Sequence, residues 1–270
     1  MEKVIFEAVN LSKEIEGNLV LQNLSFKFED KVAAAIQGHN GSGKSTLLKI
    51  LAGIYEPSSG KIIRNTRRIG YVPEHFPENL RFKLKEYLVI MSSFHGISRK
   101  GIEFELSKLI DLFEIEQFLE VPLKHCSKGT KQKVGIIQAL LAKPDVLLLD
   151  EPLTGLDSSS QRNLIHLLEK LKKEVTIIFT THEDVMIEKL ANQILYIEAR
   201  GILFSNETRK KKRLIKVEFP QKEVFKDLDS IHIQYEGNTA VITVDSAMCD
   251  QILISLLNKK CSVLEVREMR

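Results

Sequence analysis

A glycine-rich stretch near the start of the chain has the residue types and the spacing to bind phosphate. It fits the pattern G-x-x-x-x-G-K-[ST], in which glycines bring backbone N–H groups close to phosphate oxygens and a following helix points its positive N-terminal end at the same charge. Lys44 would reach the outer phosphates, and the Ser45 hydroxyl would bind Mg²⁺, which prefers hard oxygen ligands. The stretch comprises Gly38, His39, Asn40, Gly41, Ser42, Gly43, Lys44, Ser45 and Thr46.

Two carboxylates follow an apolar run later in the chain. Residues 146–149 read as a buried parallel strand, and Asp150 and Glu151 come directly after it. Asp150 could hold Mg²⁺ through water, and Glu151 is a candidate base that polarises a water attacking the terminal phosphorus. His182 lies just after the next buried strand, residues 176–180, so it is expected at the same sheet edge, where it could contact phosphate or orient the water.

The elements that must position these residues alternate between strands and helices. An apolar strand at 32–36 precedes the glycine-rich stretch, and an apolar helix face begins at Leu47. The strand, loop and helix of a phosphate site are therefore present, which favours that site over a glycine-rich turn that binds nothing. Because strands and helices keep alternating, the main sheet is expected to be largely parallel.

The regions outside this core have other patterns. Residues 4–10 and 24–29 read as strands of a half-exposed sheet, and residues from about 78–128 read as a helical insertion. The predicted fold class is α/β: a P-loop NTPase core with a mainly parallel sheet, an antiparallel β subdomain, the helical insertion, and a small C-terminal α+β domain. The predicted domains are 1–205 and 206–270.

Three serines are candidate starts of helices. Ser127 is a plausible N-cap, Ser158 forms a capping box with Gln161, and Ser246 could cap the last helix. A basic run at residues 209–213 could mark a linker. A solvated charged turn is the more ordinary interpretation of that run than a lipid or nucleic-acid site.

The composition limits location and partners. A net charge of +3, from 39 basic and 36 acidic residues, gives no global reason to expect nucleic acid. The three cysteines lack CxxC spacing, which favours free thiols in a reducing compartment, so a cytoplasmic protein is expected. No signal peptide or membrane span is predicted, so a function at a membrane would need another chain to supply the span.

These motifs resemble those of the ATP-binding cassette (ABC) ATPases, the nucleotide-binding subunits of transporters. Residues 38–45 are similar to the Walker A motif, and residues 146–150 are similar to the Walker B motif. Glu151 falls on the catalytic glutamate of the family, and His182 falls on its switch histidine.

The discriminating resemblance is to the family signature, usually written LSGGQ. Residues 126–130 have the sequence Cys-Ser-Lys-Gly-Thr, in which Lys128 replaces a glycine and Thr130 replaces the glutamine. Residues 154–157 resemble the D-loop. The order and spacing of the motifs agree over roughly residues 3–205, whereas a bare phosphate loop with a following acidic strand end would admit many other ATPases.

The resemblance implies a head-to-tail dimer that binds ATP between its subunits. ATP on the phosphate loop of one protomer would be covered by Ser127 and Gly129 of the other, and the helix N-terminus at Ser127 would meet the γ-phosphate. Asp157 of the D-loop is a further nucleotide-binding candidate. Hydrolysis would remove the charge that both protomers hold, so the dimer would open and could drive a membrane partner.

The resemblance also implies Mg²⁺ as a cofactor beside ATP. Glu74 stands where the family usually has glutamine and is expected near the ion, so the predicted metal set is Ser45, Glu74 and Asp150. Ile15 stands where the family often has an aromatic residue that stacks on adenine. Selectivity for ATP over GTP is left open by that difference.

The implied partner is a separate transmembrane permease, with the chain peripheral on the inner face of the cell membrane. The cassette dimer would be a homodimer or a heterodimer with a second cassette, and no nucleic acid is expected. Residues 71–74 and 127–129 look like those of bacterial exporter-type (ABC-2, antibiotic-resistance-like) cassettes.

Two other functions stay open at this stage. One is a non-transport cassette ATPase acting on DNA or ribosomes, although such relatives tend to have long coiled-coil insertions or two cassettes in one chain. The other is a nucleotide-gated regulatory module, because Glu74 and the altered signature could slow turnover.

Overall fold

The chain divides into two compact units, Met1–Thr208 and Arg209–Arg270. The computed structural model describes residues 3–94, 99–198, 201–205, 212–220, 225, 232–245 and 249–268. Residues 206–211, where the domain boundary and most of the basic linker run were predicted, lie outside the described residues, as does Ser246.

The first unit contains nine strands and six helices among its described residues. The strands are β1 (Val4–Ile15), β2 (Asn18–Glu29), β3 (Ala33–Gln37), β4 (Ser59–Arg64), β5 (Ile69–Val72), β6 (Val146–Leu149), β7 (Thr176–Thr180), β8 (Gln193–Glu198) and β9 (Gly201–Ser205). The helices are α1 (Lys44–Leu51), α2 (Leu84–Ser93), α3 (Arg99–Phe113), α4 (Lys128–Leu141), α5 (Ser158–Leu171) and α6 (Asp184–Leu190).

A six-stranded sheet forms the centre of this unit, in the order β5-β6-β7-β3-β8-β9. All neighbouring pairs are parallel except β8 and β9, which are antiparallel at the edge. Every residue of β6 and β7 is buried, as expected for parallel strands covered on both faces. The sheet confirms the predicted α/β class with a mainly parallel core.

A second, three-stranded antiparallel sheet has the order β2-β1-β4. Leu24, Phe26 and Phe28 alternate with exposed residues along β2 and pack into the same core as α1. β1 and β2 are longer than the predicted segments and are joined by a tight turn at Glu16 and Gly17, both of which have positive φ. The structure therefore contains the predicted antiparallel β subdomain.

The predicted helical insertion contains α2 and α3, followed by short 3₁₀ turns at Glu116–Phe118 and Leu123–His125. Leu88 of α2 and Phe113 of α3 are buried in one core together with Val134 of α4. This packing fixes the insertion on the helix that begins after Ser127. The side chain of Ser127 accepts a hydrogen bond from the N–H of Thr130, so the predicted N-cap is confirmed.

The predicted cap of α5 is wrong by one residue. The N-cap is Asp157, whose Oδ1 accepts a hydrogen bond of 2.9 Å from the N–H of Ser160, and Ser158 is the first helical residue. Asp157 and Ser158 are both favoured at N-caps, so local sequence does not choose between them. Lys133, whose Nζ lies 3.1 Å from Asp157 Oδ2, gives Asp157 an additional partner.

The second unit has a small core of its own. Its strands are β10 (Lys212–Glu218), β11 (His232–Glu236), β12 (Thr239–Asp245) and β13 (Ser262–Glu268), arranged antiparallel in the order β11-β12-β10-β13. The helix α7 (Cys249–Asn258) contributes Leu256 to a cluster with Ile215 and Ile242. The structure thus has the predicted small α+β part.

Within the described part of the chain, none of the helices has the length and apolar character needed to cross a bilayer.

Candidate functional site

The glycine-rich stretch forms the connection between β3 and α1. Gly43 is the N-cap of α1 with φ of 95°, and a Cβ at that position would lie 2.4 Å from Leu21 Cδ2. Both the left-handed backbone and the close contact require glycine. Lys44 Nζ donates hydrogen bonds to the carbonyls of Gly38 at 2.9 Å and His39 at 3.1 Å, so the lysine folds back over the loop.

Asp150 is buried at the carboxyl end of β6, with 2% of its surface exposed. Its Oδ1 accepts hydrogen bonds from Ser45 Oγ at 3.1 Å and from Thr180 Oγ1 at 2.8 Å. Burial raises the pKa of Asp150, and the two hydrogen bonds act in the opposite direction. A buried carboxylate beside a serine hydroxyl at a helix N-terminus is suited to a cation that arrives with phosphate.

Glu151 and His182 face each other at the same sheet edge. His182 Nε2 lies 3.4 Å from Glu151 Oε1. Burial raises the pKa of Glu151, whereas the charge of His182 lowers it. The Glu151 backbone has φ of 47°, and its N–H donates a 2.9 Å hydrogen bond to Thr180 Oγ1. Glu151 is therefore a desolvated carboxylate in a constrained position, as expected of a base whose pKa is tuned by its surroundings.

These residues line one cavity of about 580 Å³. Ten of the sixteen predicted site residues lie in its wall: Asn40, Gly41, Gly43, Lys44, Ser45, Thr46, Glu74, Asp150, Glu151 and His182. Gly38 and His39 do not line the cavity, but their carbonyls accept hydrogen bonds from Lys44, which does. Ser42 is buried in the same loop.

The other three predicted residues, Ser127, Gly129 and Asp157, do not line this cavity. They form a second group, because a Cβ on Gly129 would lie 2.3 Å from the carbonyl oxygen of Gly155. Lys133 of α4 forms an ion pair with Asp157, with Nζ 3.1 Å from Oδ2. Within one chain, Gly129 thus packs on the backbone of Gly155.

Three further residues belong to the site but were not predicted. Val20 and Thr154 line the cavity, and Thr180 bonds both to the Asp150 side chain and to the Glu151 backbone. Thr180 could have been found as the polar last residue of a buried apolar strand. Val20 carries no local signal, because its contact with the loop depends on how the antiparallel sheet packs on α1.

The oxygen donors at Ser45 and Asp150 fit a Mg²⁺ ion. Among the described residues, no three His, Cys, Asp or Glu side chains are placed to hold a metal by themselves. Mg²⁺ commonly takes only one or two protein oxygens and fills its remaining positions with water and phosphate oxygens. Ser45 Oγ and Asp150 Oδ1, 3.1 Å apart, match that requirement, and Glu74 lies in the same cavity wall.

A larger cavity, of about 1040 Å³, lies at the opposite edge of the six-stranded sheet, where the strands begin. Its charged wall includes Arg68 and Asp145, which are already paired through a 2.6 Å hydrogen bond. None of the predicted site residues lines it. The smaller cavity is the candidate site because the phosphate loop, the two acids and the histidine converge there.

Comparisons with known proteins agree with this geometry. A family model described as ABC transporter matches residues 21–154. An uncharacterized ABC transporter ATP-binding protein of Methanocaldococcus jannaschii is 34% identical over 190 residues, covering 70% of this chain and 72% of that protein. The zinc import ATP-binding protein ZnuC of Mannheimia succiniciproducens is 31% identical over 198 residues, covering 72% of each chain.

A solved structure of the ATP binding subunit of an ABC transporter shares the fold. The aligned region covers 94% of this chain and 99% of that chain, with a TM-score of 0.69 and 24% sequence identity.

Proposed function

We propose, from the premise that this chain belongs to the ABC transporter family of ATP-binding proteins, that it hydrolyses ATP to power a separate membrane permease. The observation that carries this proposal is the convergence of Lys44, Asp150, Glu151 and His182 on one cavity. ATP is the substrate, with its phosphates on the loop between β3 and α1.

Each of these side chains has a distinct role in the proposed reaction. Lys44 binds the β- and γ-phosphates, and its hydrogen bonds to the phosphates replace those to the carbonyls of Gly38 and His39. Glu151 accepts the proton of the attacking water, and its buried position gives it a pKa above that of an exposed glutamate. His182, which lies 3.4 Å from Glu151, orients that carboxylate and the γ-phosphate.

Mg²⁺ would be held by Ser45 and Asp150, with Glu74 nearby, and when bound it neutralises charge on the phosphate oxygens. Thr180 keeps the Asp150 carboxylate in place through its 2.8 Å hydrogen bond. The two acids that follow β6 therefore have separate roles: Asp150 would bind Mg²⁺, and Glu151 accepts a proton from the attacking water.

The position of residues 126–130 supports the proposal of a dimer. Ser127 and Gly129 do not line the cavity of their own chain, which supports the proposal that they cover the nucleotide of a second cassette in a head-to-tail dimer. Asp157 would lie at the same interface. The second cassette is another copy of this chain or a related one, and loss of the γ-phosphate separates the two.

We place the chain on the cytoplasmic face of a membrane, bound to a permease supplied by a separate subunit. Export is the proposed direction, on the resemblance of residues 71–74 and 127–129 to exporter-type cassettes. Similar proteins include a zinc import protein, so transport assays with the permease that binds this chain decide the direction.

ATP hydrolysis and dimerisation by the purified chain test the proposal. Glu151→Gln should lower turnover by about 10²–10⁴-fold while ATP binding persists, and it should form a dimer with ATP. Lys44→Ala should lose both ATP binding and the dimer. Glu174→Gln, which removes an exposed carboxylate at the opposite sheet edge, is the matched control and should behave as wild type. Equal turnover by all four proteins would refute the proposal.

A further inference from the structure

The hydroxyl of Tyr71 is buried, and its strand, β5, neighbours β6, the strand that ends at the candidate metal site. Tyr71 lies on β5, and its ring packs against the core formed by α1 and the two sheets. The oxygen has no hydrogen-bond partner among the described residues. Buried hydroxyls in native proteins nearly always have a partner, so this one calls for a physical explanation.

The strand register places Tyr71 on the same face of the sheet as Asp150. Tyr71 pairs with Leu148 in the parallel ladder between β5 and β6, and Asp150 lies two residues beyond Leu148. Because side chains alternate along a strand, residues 148 and 150 share a face, and that face carries α1, since Ser45 of α1 bonds to Asp150. Adjacent strands lie about 4.8 Å apart and rise about 3.3 Å per residue, so a residue two positions further along the neighbouring strand is about 8 Å away, within reach of an aromatic side chain.

The surroundings of this hydroxyl keep it protonated. Burial raises the pKa of Tyr71, and the charges of Asp150, Tyr55 and Glu74 raise it further, in that order. The hydroxyl is therefore a hydrogen-bond donor on which the charges of two carboxylates act. Both described hydrogen bonds to the Asp150 carboxylate reach Oδ1, so Oδ2 is the acceptor atom that Tyr71 can serve.

We propose that Tyr71 is a positioning residue of the metal site, whose hydroxyl donates through one bridging water to the Asp150 carboxylate and so fixes that carboxylate for Mg²⁺. This inference rests on the proposed function, because it requires Mg²⁺ and nucleotide to bind at Ser45 and Asp150. Residues that orient a metal-binding carboxylate typically change metal affinity by about 10–100-fold when they are removed. A tyrosine present only for packing would leave that affinity unchanged.

The test is a calorimetric titration of the full chain with Mg²⁺ in the presence of saturating ADP. Tyr71→Phe keeps the ring and removes only the hydroxyl. We expect Mg²⁺ to bind about ten-fold more weakly, while ADP binding in EDTA is unchanged. The melting temperature without Mg²⁺ should change little, since the Tyr71 hydroxyl makes no direct hydrogen bond to a described residue.

Tyr87→Phe is the matched control. The Tyr87 hydroxyl donates to Gln138 in the helical part of the unit, so its removal should lower the melting temperature and leave Mg²⁺ affinity unchanged. Equal Mg²⁺ affinity in wild type and Tyr71→Phe would overturn the inference, as would an equal loss in both variants. Wild type that binds no Mg²⁺ with ADP would overturn the proposed function and this inference together.

Discussion

At the scale of single residues, Glu151 is held in surroundings that oppose its charge. Its side chain is 14% exposed, and burial outweighs the favourable charge of His182, so its pKa is raised above the ordinary value of 4.5. Its backbone is left-handed, with φ of 47°, a conformation that is unfavourable for residues other than glycine. Strain and desolvation of this kind concentrate at active sites, where they serve the reaction and reduce stability.

The raised pKa of Glu151 predicts a pH-dependent gain of stability in Glu151→Gln. The folded chain binds this proton more tightly than the unfolded chain, so the stabilisation from protonated Glu151 is present below the unfolded pKa and is lost as the pH rises through the folded pKa. Without nucleotide, Glu151→Gln should therefore melt at a higher temperature than wild type near pH 8. The difference should shrink as the pH falls to about 5.

Thermal melts of both proteins across that pH range check this. Glu174→Gln, at an exposed position, should show no such trend. A Glu151→Gln protein that is less stable than wild type near pH 8 would contradict the prediction.

At the scale of elements, the start of α5 fixes the segment that follows the two acids. The Asp157 carboxylate accepts hydrogen bonds from the N–H of Ser160 at 2.9 Å and from its hydroxyl at 2.8 Å, and it lies 3.1 Å from Lys133 of α4. These contacts lower the pKa of Asp157, with the two Ser160 bonds as the largest causes. The Asp157 carboxylate therefore caps α5 at the end of the loop that follows β6, and its ion pair with Lys133 links that loop to α4.

Asp157→Ala should destabilise the protein by about 1 kcal/mol, because it removes an N-cap. Since the pKa of Asp157 is lowered on folding, its contribution is present above the ordinary value of 3.8 and is lost as the pH falls through the lower folded value. Urea unfolding near neutral pH measures the loss.

Ser158→Ala is the matched control for this cap. Ser158 is exposed and is the first helical residue, so its change should stay within about 0.5 kcal/mol of wild type. A larger effect at Ser158 than at Asp157 would show that the cap is assigned to the wrong residue.

At the scale of the whole molecule, the chain contains separate hydrophobic cores. Ile242 belongs to the cluster of the second unit, whereas Ile178 belongs to a cluster of the first unit beneath the phosphate loop. Both side chains are fully buried. Separate cores allow one unit to lose stability while the other keeps its structure.

Ile242→Ala should destabilise the second unit by about 2–5 kcal/mol and leave ADP affinity unchanged. Hydrogen exchange, resolved by peptide, would locate the loss, and a nucleotide titration would measure the affinity. The equivalent substitution Ile178→Ala should weaken both the first unit and nucleotide binding. Loss of ADP affinity in Ile242→Ala would show that the site depends on the second unit.

The sequence by itself determined the parts of the site that depend on neighbouring residues. The glycine spacing at 38–45 and the acids after the run at 146–149 were identifiable because each lies at the end of an apolar strand. The carboxyl ends of parallel strands meet at one sheet edge, so the convergence of Asp150, Glu151 and His182 on the phosphate loop also followed from the pattern.

Tertiary structure alone decided the contacts between residues that are distant in the chain. The cap at Asp157, 24 residues beyond its partner Lys133, and the place of Val20 in the cavity wall depend on how helices and sheets pack together. Tyr71, whose hydroxyl has no partner in the described part of the chain, shares a sheet face with Asp150 only because β5 lies next to β6. Local sequence cannot specify these contacts, because strand order and helix packing are set by burial of the whole core.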